Sequence, residues 1–339
     1  VCNVVADMIY HGDCREVMAR MLPESVQCIV TSPPYFGLRA YEGLEPSIWG
    51  DGWKGCLGNE PDPRQYIAHM VEVFEGARRV LKKDGIAWLN LGDSFNAYNH
   101  NRGESRSISG ERGHPQHPQG LTAKALKNKD LMLMPHRVAI ALQEAGWFVR
   151  MDVVWHKPNP MPESVRDRPT KAHEYVFLLT KSARYYYDAD AVREPHASAY
   201  SRDVLAKGDV DASRPAGDNF SKERRHKGGG MTPRTRGERA ALLNPGGRNR
   251  RSVWRINTKG YKGAHFAVMP EALAEVCVLA GSRRGDLVFD PFCGSGTTGL
   301  AAMKYGRFFV GAEASAEYVR LAEDRLSGLD PLRIAMVDF

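Results

Sequence analysis

Residues 286–313 read DLVFDPFCGSGTTGLAAMKYGRFFVGAE, and the fold follows from how this stretch is parsed. A short apolar strand, "DLVFD", enters a glycine-rich turn. A helical segment and a second apolar strand ending on Glu313 follow. The spacing Gly294-x-Gly296-x-x-Gly299 satisfies the dinucleotide fingerprint, in which glycines let backbone N–H groups at a helix start approach a ligand closely. Glu313, after the second strand, is placed to accept from ribose hydroxyls. Two features argue against nicotinamide. Asp290 and Phe292 of "DPFC" crowd the space a pyrophosphate needs, and the unit comes last in the chain. An acidic turn suits a ligand carrying an ammonium or sulfonium charge better than one carrying phosphates. S-adenosylmethionine, an adenosine with a cationic sulfur and an amino-acid tail, is such a ligand. A structural turn with no ligand has the same glycines.

Outward from this unit, strands and helices alternate. Residues 8–35 read as strand "MIYHGD", helix "CREVMARML" with Val17, Met21 and Leu22 on one face, and strand "VQCIVTS". Residues 64–81 carry Ile67, Met70, Val71, Phe74 and Leu81 at helical spacing. "KKDG" breaks that helix before the buried strand "IAWLNLGDSF". A Gly-, Ser-, Arg-, His- and Pro-rich loop insertion spans 97–129. Beyond it come the helix "LMPHRVAIALQEAGW" and the strands "FVRMDVVWHK" and "HEYVFLLTKS", with "ARYYYD" as an antiparallel partner of the last. A helix near 270–281 precedes the glycine unit, and a last helix follows it. Such alternation predicts an open α/β sheet with a largely parallel core. Residues 1–192 and 252–330 together complete that sheet, 193–251 form a separate region, and 331–339 are a tail.

The 339 residues carry a formal charge of +7. Between Arg193 and Arg251, fourteen Lys/Arg stand against seven Asp/Glu, an excess equal to the surplus of the whole chain. Clustered positive charge in a polar, Gly-rich stretch points to a polyanion, nucleic acid foremost, although a solvated basic loop has the same composition. No apolar run approaches the ~20 residues that span a bilayer, so no membrane is expected. The opening residues, VCNVVADMIYHGDC, have no basic n-region and no signal-type core, and the expected location is cytoplasmic. The six cysteines form no CxxC pair and read as reduced thiols. His114 and His117 lack further ligands at zinc-type spacing, so no metal is expected.

Residues 29–35 read IVTSPPY. A short strand runs into two prolines that have no N–H for a sheet ladder. A hydroxyl, carbonyl oxygens and a ring are left at the strand end. Ligands of open α/β sheets sit at the carboxyl ends of strands, where "VFD" and "IVTS" would both finish. With Ser32-Pro33-Pro34-Tyr35 near the N-terminus, Phe292-Cys293-Gly294-Ser295-Gly296 near the C-terminus and a basic region between, the chain resembles the circularly permuted, β-group amino-methylating DNA methyltransferases. The resemblance runs from about His11 to Leu326. It implies a Rossmann-like, circularly permuted α/β fold with helices on both faces of a mostly parallel sheet. It also implies S-adenosyl-L-methionine as cofactor, double-stranded DNA as partner, and 193–251 as a target-recognition insertion.

Site residues follow from the same resemblance. An exocyclic base amine is conjugated with its ring and is a poor nucleophile. Hydrogen bonds from its N–H groups to the Ser32 hydroxyl and the Pro33 carbonyl would localise its electrons and aim it at the methyl group. The base must first be flipped from the duplex. Pro33 and Pro34 stiffen the loop, and Tyr35 offers a stacking face. Asp13, Asp290, Pro291, Phe292, Gly294, Ser295, Gly296, Thr297 and Glu313 would bind the cofactor. His265 and Phe266 in "GAHFAVMPEAL" would join them. Asn159, Asp167 and Arg168 are candidates near the flipped base; Arg224, Arg225, Arg234 and Arg236 are candidates for DNA contact. Methylation of cytosine carbon needs a cysteine after the prolines, where this chain has Tyr35; Cys293 reads as packing. Family members with Ser at the first motif position mostly modify cytosine N4 and those with Asp mostly adenine N6, so cytosine N4 is favoured over adenine N6. More distant alternatives are an RNA or protein amine methyltransferase, a nicotinamide oxidoreductase and a non-catalytic DNA-binding module. A homodimer and a cognate restriction endonuclease are left open as partners.

Overall fold

The computed structural model describes residues 7–37, 44–96, 126–196, 244, 246–259 and 268–328. Its centre is β2 (Val26–Thr31), a strand buried at every residue. Such a strand can be almost wholly apolar because both edges are paired and both faces covered. β9 (Leu287–Asp290) and β5 (Leu81–Leu91) flank it, both parallel. Beyond β9 lie β10 (Phe308–Glu313) and then β1 (Met8–His11), also parallel. Beyond β5 lies β7 (His173–Thr180), antiparallel to β5 and to β6 (Phe148–His156), and β8 (Val253–Arg255) closes that end parallel to β6. The order is β1-β10-β9-β2-β5-β7-β6-β8. The last βαβ unit of the chain therefore sits inside the sheet, between β1 and β2. A separate antiparallel pair joins β3 (Ser47–Ile48) to β4 (Lys54–Gly55).

Helices cover both faces. On one, α1 (Cys14–Arg20), α2 (Pro63–Val80) and α3 (Met134–Glu144) bury Met18, Phe74 and Leu142 in a cluster with Ile29, Leu89, Phe177, Phe289 and Val310 of the sheet. On the other lie α4 (Glu271–Gly281), α5 (Thr297–Lys304) and α6 (Ala316–Ser327). A Cβ on Gly281 would fall 2.6 Å from Cys28 Sγ, and one on Gly299 2.7 Å from the Phe309 ring. These contacts use the alternate residues of β2 and β10, as strand geometry requires. α2 begins where Asp62 accepts from Arg64 N–H at 2.8 Å with Pro63 in the first turn, a strong local start signal.

Three sequence expectations give way. Leu81 and "KKDG" belong to β5 (Leu81–Leu91), not to the preceding helix and a break after it. Leu22 is 62% exposed instead of sharing the buried face of α1, which stops at Arg20. Leu22 precedes Pro23, whose ring disfavours helical backbone at the residue before it. "ARYYYD" forms no strand, because β5 and β6 already occupy both edges of β7.

The described residues divide at Asp188 and Arg251 into two units, the first carrying the sheet. The second contains an antiparallel bridge between Glu194 and Arg248. Most of the insertion, 97–125, lies outside the described residues. Its ends are pinned together, with Asn96 N–H donating to Asp130 O at 2.8 Å and Lys129 N–H to Asn96 O at 2.7 Å. Among the described residues no helix is long and apolar enough to cross a membrane. Nor does any group of three or more metal-ligating side chains occur there.

Candidate active site

From β2 the chain moves to β5 on one side, and from β9 it moves to β10 on the other. That divergence opens a crevice at the carboxyl ends of β2 and β9. The register pairs Ile29 with Phe289, so Asp290 falls beside Val30 and Ser32 follows two residues on, at the same edge of the sheet. A cavity of about 390 Å³ lies there, lined by all four residues of the SPPY motif, by Asp290 to Ser295, and by Asp13, Thr297 and Glu313.

The glycine-rich turn is held from several directions. Gly294 (φ +52°) and Gly296 (φ +77°) take left-handed backbone that other residues adopt at a cost. Glu313 Oε2 accepts from Gly294 N–H at 2.8 Å, and its Oε1 from Ser315 N–H at 2.9 Å. Asp290 Oδ1 accepts from Phe292 N–H at 3.0 Å and Oδ2 from the Thr298 hydroxyl at 2.7 Å. Burial pushes the Asp290 carboxyl up to about 6, against those hydrogen bonds, and also raises Glu313. Both acids thus sit in a dry wall where a cation would be strongly attracted. Arg325 Nη1 donates toward Ser295 Oγ (3.2 Å) and Thr297 Oγ1 (2.9 Å), turning both hydroxyls toward α6. Asp13 caps α1, accepting from Arg15 N–H at 2.8 Å and pairing with its guanidinium. Burial pushes its carboxyl up, but Arg15 outweighs this and holds it below the usual range. Cys293 is buried beside Gly311, and burial raises its thiol well above its usual value, which fits packing.

Across the cavity, four strand ends converge. Ser32 follows β2, Asn90 lies near the end of β5, and Lys157 follows β6. Glu174 lies at the start of β7, which reaches the same sheet edge because β7 runs in reverse. Ser32 Oγ and Tyr35 Oη are 3.1 Å apart, and Tyr35 Oη donates to Glu174 Oε2 at 2.9 Å. Asn90 Nδ2 lies 2.9 Å from Tyr35 Oη and 3.1 Å from Glu174 Oε2. Lys157 Nζ pairs with Glu174 Oε1 and stands 4.4 Å over the Trp155 ring. Gly92 admits the Tyr35 ring, which a Cβ there would meet at 2.6 Å. Tyr66 Oη donates to the Pro34 carbonyl at 2.9 Å and pins the loop from below.

A family model described as DNA methylase (N6_N4_Mtase) matches residues 26–324. The chain belongs to this DNA methylase family. Type II methyltransferase M.SmaI of Serratia marcescens is 40% identical over 324 residues, 96% of this chain and 92% of that protein. Type II methyltransferase M.Cfr9I of Citrobacter freundii is 40% identical over 329 residues, covering 96% and 90%. Among solved structures, the fold is similar to that of PvuII DNA methyltransferase (cytosine-N4-specific). The TM-score is 0.57 at 19% identity, covering 96% of this chain and 89% of that one. It is also similar to a putative DNA modification methylase of Thermus thermophilus, TTHA0409, solved with S-adenosyl-L-methionine. There the TM-score is 0.53 at 22% identity, covering 94% and 93%.

In this DNA methylase, Asn159, Asp167 and Arg168 are not among the described residues that line the cavity. Asn159 exchanges hydrogen bonds with Thr258, donating to its carbonyl at 3.1 Å and accepting from its N–H at 3.0 Å. Asp167 pairs with Lys129 at 2.8 Å, and Arg168 pairs with Glu163 at 2.7 Å while covering the Phe95 ring. His265, Phe266, Arg224, Arg225, Arg234 and Arg236 lie outside the described residues. Sequence reasoning missed Asn90, Glu174, Lys157 and Arg325. Only Asn90 carried a signal, as a polar residue inside the apolar run "IAWLNLG".

Proposed function

We propose that the chain transfers a methyl group from S-adenosylmethionine to the exocyclic amine of a base flipped from double-stranded DNA, and that this amine is cytosine N4. One juxtaposition carries the reading: Ser32 and the acidic, glycine-lined turn face the same cavity of about 390 Å³. The residues present fit S-adenosylmethionine. Asp290 and Glu313 supply negative charge in a buried wall, Gly294 and Gly296 allow close backbone approach, and Phe292 offers an apolar face. Asp13 lines the cavity next to Gly12, whose N–H donates to the Glu313 carbonyl at 2.9 Å. When bound, S-adenosylmethionine supplies an electrophilic methyl group on a positive sulfur.

The chain's own residues do the rest by position and charge. Ser32 Oγ and the Pro33 carbonyl accept from the amine and concentrate its electrons. The Tyr66 bond to Pro34 and the two prolines keep that acceptor pair from relaxing. Tyr35, anchored through its hydroxyl, forms a wall for the flipped base. A neutral hydroxyl at the first motif position, instead of a carboxylate, supports cytosine N4. The relatives at 40% identity, both Type II methyltransferases, support DNA as the substrate.

The test is transfer from methyl-tritiated S-adenosylmethionine to DNA, RNA and protein offered separately, using wild type and Ser32→Ala. Label should enter DNA only and at a rate about 10²–10³-fold lower in the variant, while calorimetry still shows donor binding. Label in RNA or protein but not DNA would overturn the reading.

A further inference from the structure

We infer that Glu174 is a positioning residue for this transfer: acting through Tyr35, it directs the Ser32 hydrogen away from the base and finally receives the proton that the amine loses. The inference rests on the amine-methylation reading above. A carboxylate can only accept hydrogen bonds. Glu174 Oε1 is paired with the Lys157 ammonium, and Oε2 is 2.9 Å from Tyr35 Oη. The Tyr35 hydroxyl must therefore donate to Glu174. Having spent its one hydrogen, Tyr35 Oη accepts from Asn90 Nδ2 at 2.9 Å and from Ser32 Oγ at 3.1 Å. The Ser32 hydrogen then points at Tyr35, one Ser32 lone pair accepts from Asn90 Nδ2 at 3.3 Å, and the other is left for the amine. Without a carboxylate at the far end, the same hydroxyls could point either way. Asn90 is oriented by the same group, its Nδ2 lying 3.1 Å from Oε2.

The chemistry requires such a sink. As the amine nitrogen bonds to the methyl carbon, the sulfur–carbon bond breaks and sulfur leaves as a neutral thioether. The nitrogen now carries the positive charge and one proton too many. That proton passes to Ser32 Oγ while the Ser32 hydrogen moves to Tyr35 Oη and the Tyr35 hydrogen moves to Glu174 Oε2. The nitrogen ends neutral, Glu174 ends as a carboxylic acid beside Lys157, and water later takes the proton. No side chain of SPPY itself could keep it, since neither a serine nor a tyrosine hydroxyl holds an extra proton near neutral pH.

Two readouts test the inference. In single-turnover methylation of DNA, Glu174→Gln should slow the reaction about 10²-fold, in the range general acid–base groups contribute. Tyr35→Phe leaves the Glu174–Lys157 pair intact and should give a comparable loss. The double variant should be no slower than the worse single one, because both cut the same chain. Donor affinity by calorimetry should stay within about twofold, as neither residue belongs to the glycine turn. Independently of turnover, neutron diffraction from deuterated crystals should show the Tyr35 deuteron directed at Glu174 and the Ser32 deuteron at Tyr35. Additive losses, a Glu174→Gln rate equal to wild type, or a Ser32 deuteron aimed into the cavity would each overturn the inference. A wild type that methylates no DNA would contradict the underlying reading instead.

Discussion

Replacing Asp290 by Asn removes a buried charge while keeping the side chain's shape. Asp290 is 3% exposed, and burial raises its pKa from 3.8 to about 6. The folded chain therefore binds this proton more tightly than the unfolded chain. The resulting stabilisation is full below about pH 4 and is lost as pH rises through about 6. A shift of about two units corresponds to about 3 kcal/mol between those limits. Asn cannot ionise, and its Oδ1 can keep the Phe292 N–H. The Thr298 hydroxyl, 2.7 Å from Asp290 Oδ2, also lies 3.2 Å from the Val30 carbonyl. It can turn its hydrogen there and accept from the new amide. The stability of Asp290→Asn relative to wild type should therefore rise by about 1.4 kcal/mol between pH 5 and pH 8. Urea unfolding at the two pH values, followed by circular dichroism, measures that difference. Donor affinity at pH 8 should fall by about tenfold or more, since the cation loses one of the two buried acids of the cavity wall. A stability difference that is flat with pH, or one that moves in the wild type's favour as pH rises, would refute the reasoning.

Other consequences are more local. Ser32→Ala should lower the methylation rate by about 10²–10³-fold, the usual effect of deleting one preorganised polar contact, with donor binding by calorimetry unchanged. Gly296→Ala forces a side chain into left-handed backbone at φ +77° and brings its Cβ to 3.1 Å from the Ala322 Cβ. Denaturant unfolding should show a loss of about 1–3 kcal/mol. Arg325→Ala frees the hydroxyls of Ser295 and Thr297 and loosens the turn. Calorimetry should show donor affinity reduced about tenfold, a loss of about 1.4 kcal/mol.

The parts of the fold legible in the sequence are those with local causes. The 286–313 unit announces itself through an apolar strand, left-handed glycines and an acid after the second strand, all within one stretch. SPPY is legible because two prolines at a strand end have no sheet role. Together with motif order, these brought the end of β9 to the end of β2 although β9 lies at the far end of the chain. What escaped depends on sheet order. Asn90, Lys157 and Glu174 are single polar residues on three strands or strand ends, and only the reversed direction of β7 brings Glu174 to the Ser32 edge. The tyrosine run "YYY" has strand propensity, yet tertiary pairing had left β7 no free edge. For Ser295 and Thr297, motif position placed them at the cofactor, but it could not show that Arg325, one helix later, takes their hydroxyls.

The central claim is that the SPPY end of β2 and the turn after β9 form one site for methylating a base amine, cytosine N4. The most direct measurement is mass spectrometry of nucleosides from unmethylated DNA incubated with the protein and methyl-deuterated S-adenosylmethionine. The account predicts deuterated N4-methylcytosine as the product. Deuterated N6-methyladenine would contradict the base assignment, and deuterated 5-methylcytosine would contradict the amine mechanism itself.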